Sequence, residues 1–182
     1  VDWILAFLSD AIKYKLEIQS GWQTLDLKTG VTQFADEQTI LELLTANKKI
    51  MHVYESFCTP LCKKYQLNQS DLDLILFIAN NPMYNTAKDV CEIRGIKKGI
   101  VSVTTERLVQ SGYLIRKNDI HDRRIQRLCL TEKCQPIIAD GREMQTHFFT
   151  SITAGLTDEE LKLYQKLSEK IRDQVIKLEK EL

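Results

Sequence analysis

The sequence is poor in proline and glycine, with 3 and 7 among its 182 residues. Turn-rich β-sandwiches need more of both, so this composition favours long helices. No apolar run approaches the ~18 residues of a membrane-spanning helix, and no membrane partner is predicted. The apolar residues 1–8 lack the basic region of a signal peptide. We therefore expect a cytoplasmic protein.

Cysteine occurs at five positions, an odd number that does not suggest a complete disulfide framework. Cys58 and Cys62 form no CxxC pair and have no zinc-finger spacing. The histidines, His52, His121 and His147, are scattered along the chain, so neither a metal site nor a cofactor is predicted. The thiols are expected to be reduced, in a reducing compartment.

Net charge is also absent, because 25 Lys and Arg residues balance 25 Asp and Glu residues. A uniform balance would argue against a nucleic-acid coat protein and against a polybasic membrane-surface protein. The balance is not uniform, since residues 86–133 hold 11 basic and 6 acidic residues, a difference of +5. The rest of the chain therefore carries −5, and the basic excess is confined to one segment.

Helical periodicity begins at the amino-terminal end. Residues 2–16 fit an amphipathic helix, and residues 14–29 alternate as in a hairpin, with a continued helix as the alternative. The role of residues 1–35 is not predicted. A long helical pattern covers residues 36–66, which Pro60 should bend or break. An N-cap at residues 68–71 then precedes an apolar helix.

Two short helices occupy the basic segment, one from Thr86 to about Arg94 and one from Lys97 to about Ser111, joined at Gly95. Strands at 113–117 and 125–131 follow, connected by a polar loop, and helix continues from about residue 131 with a break near residue 155. A helix-turn-helix followed by a basic hairpin is the arrangement of a winged helix. Its second helix can enter the major groove of DNA while the wing meets the adjacent minor groove.

Residues 122–133, DRRIQRLCLTEK, resemble the wing signature of the MarR family of bacterial winged-helix regulators. Residues 96–102 and 108–114 resemble the recognition helix of that family and the start of its wing. The resemblance covers residues 36–182. It implies a mainly α fold with a small β-hairpin wing, an α+β arrangement, in which a winged helix-turn-helix DNA-binding domain at 67–131 is flanked by dimerisation helices at 36–66 and 132–182.

The resemblance also implies the residues that contact DNA. Those of the recognition helix would face the major groove, and Thr86 would lie against a phosphate. Arg124 would enter the minor groove, Asp122 would orient an arginine by ion pairing, and two further arginines would support backbone contacts. The implied DNA-binding residues are Thr86, Lys97, Lys98, Gly99, Ser102, Val103, Arg116, Asp122, Arg123 and Arg124.

The sequence departs from many relatives at Ile100 and Val103, where they carry Thr or Arg. Fewer donors for bidentate base contacts are then present. We expect sequence readout to depend more on thymine methyl groups and on DNA shape.

Apolar residues recur at heptad spacing in the last helix, interrupted at Ser168: Leu161, Tyr164, Ile171, Val175, Leu178 and Leu182. Packing within the chain is one explanation of this stripe. A two-fold homodimer, as the resemblance implies, is the other, and it would bind a pseudo-palindromic double-stranded DNA operator.

The sequence is therefore interpreted as a homodimeric bacterial repressor, relieved by a small-molecule effector whose site is unknown. One alternative is a regulator of the same fold that senses oxidants through Cys58 and Cys62. Another is a winged-helix protein-interaction module that does not bind DNA, with residues 1–35 as a docking arm. An enzyme is not expected, because nucleophile motifs and phosphate-binding glycine loops are missing.

Overall fold

A computed structural model of the chain describes residues 37–181. The helix predicted at 2–16 and the hairpin predicted at 14–29 lie outside the described residues. In chain order the elements are α1 (Glu37–Tyr65), α2 (Gln69–Asn80), α3 (Ala87–Arg94), α4 (Lys98–Gln110), β1 (Leu114–Asn118), β2 (Gln126–Leu130), a 3₁₀ turn (Glu132–Cys134), α5 (Gln135–Ile152) and α6 (Asp158–Glu181). The predicted fold class, mainly α with a two-stranded wing, is confirmed.

Side-chain caps set where several helices begin. At the start of α2, the Asn68 side chain accepts a hydrogen bond from the Asp71 amide, and the Asp71 carboxylate accepts one from the Asn68 amide. Thr157 and Glu160 form the same kind of capping box before α6. These reciprocal bonds satisfy amide groups that a helix start otherwise leaves without partners. The sequence predicts these starts because each box spans only four residues.

The helix α1 runs unbroken through Pro60, so of the two predicted effects a break does not occur. Proline removes the amide that would donate to the carbonyl of Ser56. Both Ser56 and Pro60 lie on the exposed side of α1, where water can take that place. On the opposite side, Tyr54 and Cys58 are buried one turn apart.

The core lies where α1, α2 and α5 pack together. Tyr54 of α1 meets Phe148 of α5 edge to face, with ring centroids 5.2 Å apart, and Phe57 contacts the same ring at 5.5 Å. Gly141 of α5 faces the buried side chain of Leu76 in α2, and a side chain at 141 would collide with it. The missing Cβ allows these two helices to approach closely.

The wing is an antiparallel pair in which Leu114 of β1 is opposite Leu130 of β2, and Asn118 is opposite Gln126. Leu114 and Leu128 are buried, which anchors the base of the hairpin in the core. Beyond the strands, α6 leaves a row of apolar side chains exposed on one face: Leu163, Tyr164, Leu167, Ile171 and Leu178. Across residues 37–181, no helix is both long enough and apolar enough to cross a membrane.

Candidate nucleic-acid interface

The helix α4 has one buried and one exposed face. Val101, Thr104, Thr105 and Leu108, spaced for a single helix face, are buried against the rest of the domain. The exposed residues of its first two turns and of the position before it are Lys97, Lys98, Gly99, Ile100, Ser102 and Val103. Cations at a helix start oppose the helix dipole, so these two lysines do not serve helix stability. An anionic partner would account for them.

Two local features set where α3 begins and ends. Thr86 caps α3, because its hydroxyl donates to the Asp89 carboxylate at 2.7 Å and accepts from the Asp89 amide at 3.1 Å. Gly95 ends α3 with φ of 60°, in the left-handed region that favours glycine. The predicted phosphate-contacting residue, Thr86, therefore also has a structural role at the start of α3.

Ion pairs hold α3 and α4 against α2. Two nitrogens of Arg107 in α4 contact Oδ1 of the buried Asp71, Nη2 at 2.7 Å and Nε at 2.9 Å. Arg94 of α3 lies 3.5 Å from the carboxylate of Asp73, and burial raises the pKa of that carboxyl group. These two arginines belong to the basic segment but are used to position the helices.

Acidic side chains shape the wing loop. Asp119 accepts hydrogen bonds from the His121 and Asp122 amides. Asp122 accepts from the Arg124 amide, and its carboxylate also lies 2.9 Å from the Arg124 guanidinium. Arg124 nevertheless keeps 91% of its side chain exposed. The ion pair predicted for Asp122 is thus present, and it orients Arg124 outward at the wing.

Arg127 of β2 connects the wing to the turn before α3. Its Nε donates to Asp119 at 2.6 Å and its Nη1 donates to the Asn85 side chain at 2.9 Å. The backbone supports the same connection, since the amide of Leu128 donates to the Asn85 carbonyl and residues 86 and 127 form a β-bridge. The sequence does not reveal this function of Arg127, because Asn85 is 42 positions away.

The structure separates the 11 basic residues of 86–133 by their contacts. Arg116, for which the resemblance implies a DNA backbone contact, pairs with Glu106 at 2.8 Å. Lys133 donates to the Ser111 carbonyl and lies over the Tyr113 ring. Among the described residues, four cations of the segment have no side-chain hydrogen bond or ion pair: Lys97, Lys98, Lys117 and Arg123. All four lie at the start of α4 or in the wing.

Lys117 is not among the predicted DNA-binding residues. It is exposed on β1, opposite Arg127 of β2. The only signal for it in the sequence is its contribution to the basic excess, which does not distinguish exposed cations from paired ones.

The two cysteines proposed as redox sensors lie in α1, outside this surface. Cys58 is fully buried, and burial raises the pKa of its thiol to about 11. Burial also raises the pKa of the Cys62 thiol. Oxidants react with the thiolate, which is scarce at neutral pH when the pKa is raised. These surroundings do not favour a thiol switch. In the described part of the chain, no group of three or more His, Cys, Asp or Glu residues is placed to hold a metal ion.

Comparison with known families finds two matches along the chain. Residues 65–125 match the family model described as MarR family, and residues 1–59 match the one described as DNA polymerase III, delta subunit, C terminal. Among curated proteins, DNA polymerase III subunit delta' of Haemophilus influenzae is 56% identical over 59 residues, which are 32% of this chain. The match spans only 18% of that subunit.

Solved structures share the fold. A structure of MarR aligns with a TM-score of 0.61 at 17% identity, covering 88% of this chain and 100% of that one. The transcriptional regulator SlyA aligns at 0.64 and 17% identity, covering 74% and 94% of the two chains. A MarR transcriptional regulator from Methanosarcina mazei aligns at 0.63 and 17% identity, covering 75% and 97%. At 17% sequence identity, these alignments show that the fold is shared and nothing more specific.

Proposed function

Since residues 65–125 belong to the MarR family of winged-helix transcriptional regulators, we propose that this chain is a sequence-specific double-stranded DNA-binding repressor. The observation that carries the proposal is that, within residues 86–133, every cation without a side-chain hydrogen bond or ion pair lies at the start of α4 or in the wing. An enzyme activity is not implied, because members of this family are transcription factors. A cytoplasmic location would accompany binding to the chromosome of a bacterium.

In the proposed complex, α4 lies in the major groove and the wing follows the neighbouring minor groove. Lys97, Lys98 and Arg123 then neutralise phosphates and release condensed counterions. Arg124, held outward by Asp122, enters the minor groove, where narrow A·T-rich segments attract arginine. Gly99, Ser102 and Val103 face the bases, while Thr86 and Arg116 lie near the DNA backbone.

The test is the salt dependence of DNA binding by the full chain, measured on the duplex that it selects from a random pool. The logarithm of the association constant should fall linearly with the logarithm of salt concentration. Arg124→Ala should weaken binding and reduce the slope by about 1 if that side chain displaces a counterion. Lys166→Ala, which removes a cation on the exposed surface of α6, is the matched control and should leave the slope unchanged. A slope near zero, or equal binding by Arg124→Ala, would contradict the proposal.

Two copies of the chain would bind one pseudo-palindromic operator. The exposed apolar row of α6 supports a homodimer, because burial against a second copy would remove that surface from water. With two-fold symmetry, the two α4 helices would meet half-sites about one DNA turn apart.

A small-molecule effector is proposed to release the DNA. A groove of about 420 Å³ lies between α2, β2 and α5 and supports this part of the proposal. Apolar residues line it together with Asn85 and Arg142, so an organic anion fits its chemistry. Because Asn85 also holds Arg127, a ligand in the groove would touch the connection to the wing.

The match of residues 1–59 favours a second candidate function, association with other subunits of DNA polymerase III. The test is co-elution of the full chain with a mixture of those subunits that lacks delta', followed by addition of purified delta' as competitor. Co-elution that delta' abolishes would support this function. Separate elution at micromolar concentrations would contradict it and would leave the DNA-binding proposal standing.

A further inference from the structure

The exposed face of α4 carries two apolar side chains at its centre. Ile100 is 51% exposed and Val103 is 63% exposed. Three positions separate them, so they are neighbours on the helix surface. The buried face of α4 consists of other residues, and packing within the chain leaves half or more of both side chains uncovered.

Polar base-reading groups are few around the pair. Apart from Lys97 and Lys98, residues 97–103 contain none of the side chains that form the common bidentate hydrogen bonds with purines. Further along α4, Thr104 and Thr105 are buried, and Arg107 is bound to Asp71. Glu106 accepts hydrogen bonds from both Arg116 and Gln110. Besides these two lysines, Ser102 is the exposed side-chain hydrogen-bonding group next to the pair.

The charges around the pair match a DNA groove. Lys97 and Lys98 lie on the preceding turn without partners among the described residues. An apolar surface flanked by cations complements the major groove, where the 5-methyl group of thymine lies between two rows of phosphates. Gly99, with no Cβ and open space beside it, presents no side chain that would hold α4 away from the bases.

We propose that Ile100 and Val103 determine operator specificity by apolar contact with thymine 5-methyl groups in the major groove. The inference rests on the proposed function, because it requires that α4 bind DNA. It assigns the ligand class that α4 recognises as thymine-containing steps, distinguished from cytosine and from uracil by their methyl groups.

The experiment uses the full chain and the tightest duplex that it selects from a random-sequence pool. Each thymine is replaced in turn by uracil, which removes one methyl group and keeps the base pair. At one or more positions per half-site, the dissociation constant should rise about 3- to 5-fold, as expected for a buried methyl group. Normal binding of every uracil-substituted duplex would overturn the inference and leave DNA binding itself intact. Failure to select any duplex would instead overturn the proposed function.

A pair of matched variants assigns the effect to α4. Val103→Ser removes both γ-methyl groups of the side chain, so it should abolish the uracil effect at one position. Val53→Ser makes the same change at an exposed site in α1 and should leave the profile as in the wild type. If Val103→Ser and Ile100→Ser both retain the wild-type uracil profile, the contacts lie elsewhere and the inference is wrong. The uracil scan of the wild-type chain decides the matter even if a variant fails to fold.

Discussion

Gly141 and Gly99 both lie inside helices, but their surroundings differ. At Gly141 a Cβ would collide with the side chain of Leu76, which is itself buried and cannot move aside. At Gly99 nothing lies within 4 Å of the position that a Cβ would take. Glycine is the weakest helix former after proline. Close packing explains why glycine occurs at position 141, but it does not explain glycine at position 99.

Alanine substitution should therefore have opposite effects at the two glycines. Gly99→Ala should stabilise the fold by up to about 1 kcal/mol, through helix propensity alone. Gly141→Ala gains the same propensity but overpacks the contact between α2 and α5, at a cost of about 1–3 kcal/mol. Urea unfolding followed by circular dichroism measures both changes, with the wild type as reference. A Gly141→Ala variant as stable as Gly99→Ala would contradict the close packing.

Asp119 has an unusually acidic carboxyl group. Hydrogen bonds from the His121 amide, from Arg127 and from the Asp122 amide, in that order, lower its pKa to about 2 from an ordinary value of 3.8. The lowered pKa means that the ionised form stabilises the fold. This stabilisation is complete above the unfolded value and is lost as the pH falls through about 2.

At pH 3, Asp119 should remain ionised while an ordinary aspartate is mostly protonated. The carbon-13 shift of its carboxyl group, followed by NMR between pH 2 and 5, measures this directly. The amides of His121 and Asp122 should keep their shifts down to pH 3 in the wild type and should change in Asp119→Asn. A carboxyl titration centred near 3.8 would show that these hydrogen bonds are not maintained.

Among the elements, the wing has an attachment of its own to the helix-turn-helix unit. Arg127 bonds both Asp119 in the wing loop and Asn85 before α3, so the hairpin and the start of α3 are held together. The connection sets the distance between α4 and Arg124, the two parts that would meet DNA. In the proposed complex, Arg127 would thus be a positioning residue rather than a direct DNA contact.

Arg127→Met should weaken DNA binding by about fivefold, since ordering the loosened wing on binding costs on the order of 1 kcal/mol. The salt dependence should keep its wild-type slope, because no phosphate contact is lost. Arg124→Ala provides the contrast, with a slope smaller by about 1. A similar decrease in slope for Arg127→Met would mean that Arg127 binds phosphate itself.

At the scale of the whole molecule, α1 connects the segments of the two family matches, and α6 carries an exposed apolar row. The helix α1 continues past residue 59, where one family match ends, to the start of the other at residue 65. Tyr54 and Cys58, within the first match, are buried in the core of the winged-helix unit. Residues from within the first match thus pack in one core with those of the second, while the apolar row of α6 stays exposed.

If that row forms a dimer interface, the wild type should sediment at twice the 21.1 kDa of one chain. Ile171 lies within the row and is 52% exposed. Ile171→Glu would place an unpaired charge in the interface and should raise the dimer dissociation constant at least about tenfold. Gln165→Glu adds the same charge at an exposed position on another face of α6, and it should remain dimeric. A monomeric wild type at micromolar concentration would contradict the dimer.

Local sequence patterns are enough to predict the order of the elements and most of their bounds. These features follow from caps, turns and periodicity that act within a few residues. Which cations are exposed depends on long-range contacts, because Asp71 and Arg107 are 36 positions apart and Asn85 and Arg127 are 42 apart. The contact between Gly141 and Leu76 and the exposure of Ile100 and Val103 likewise depend on how the helices pack. Long-range packing brings together residues whose separation leaves no periodic signal in the sequence.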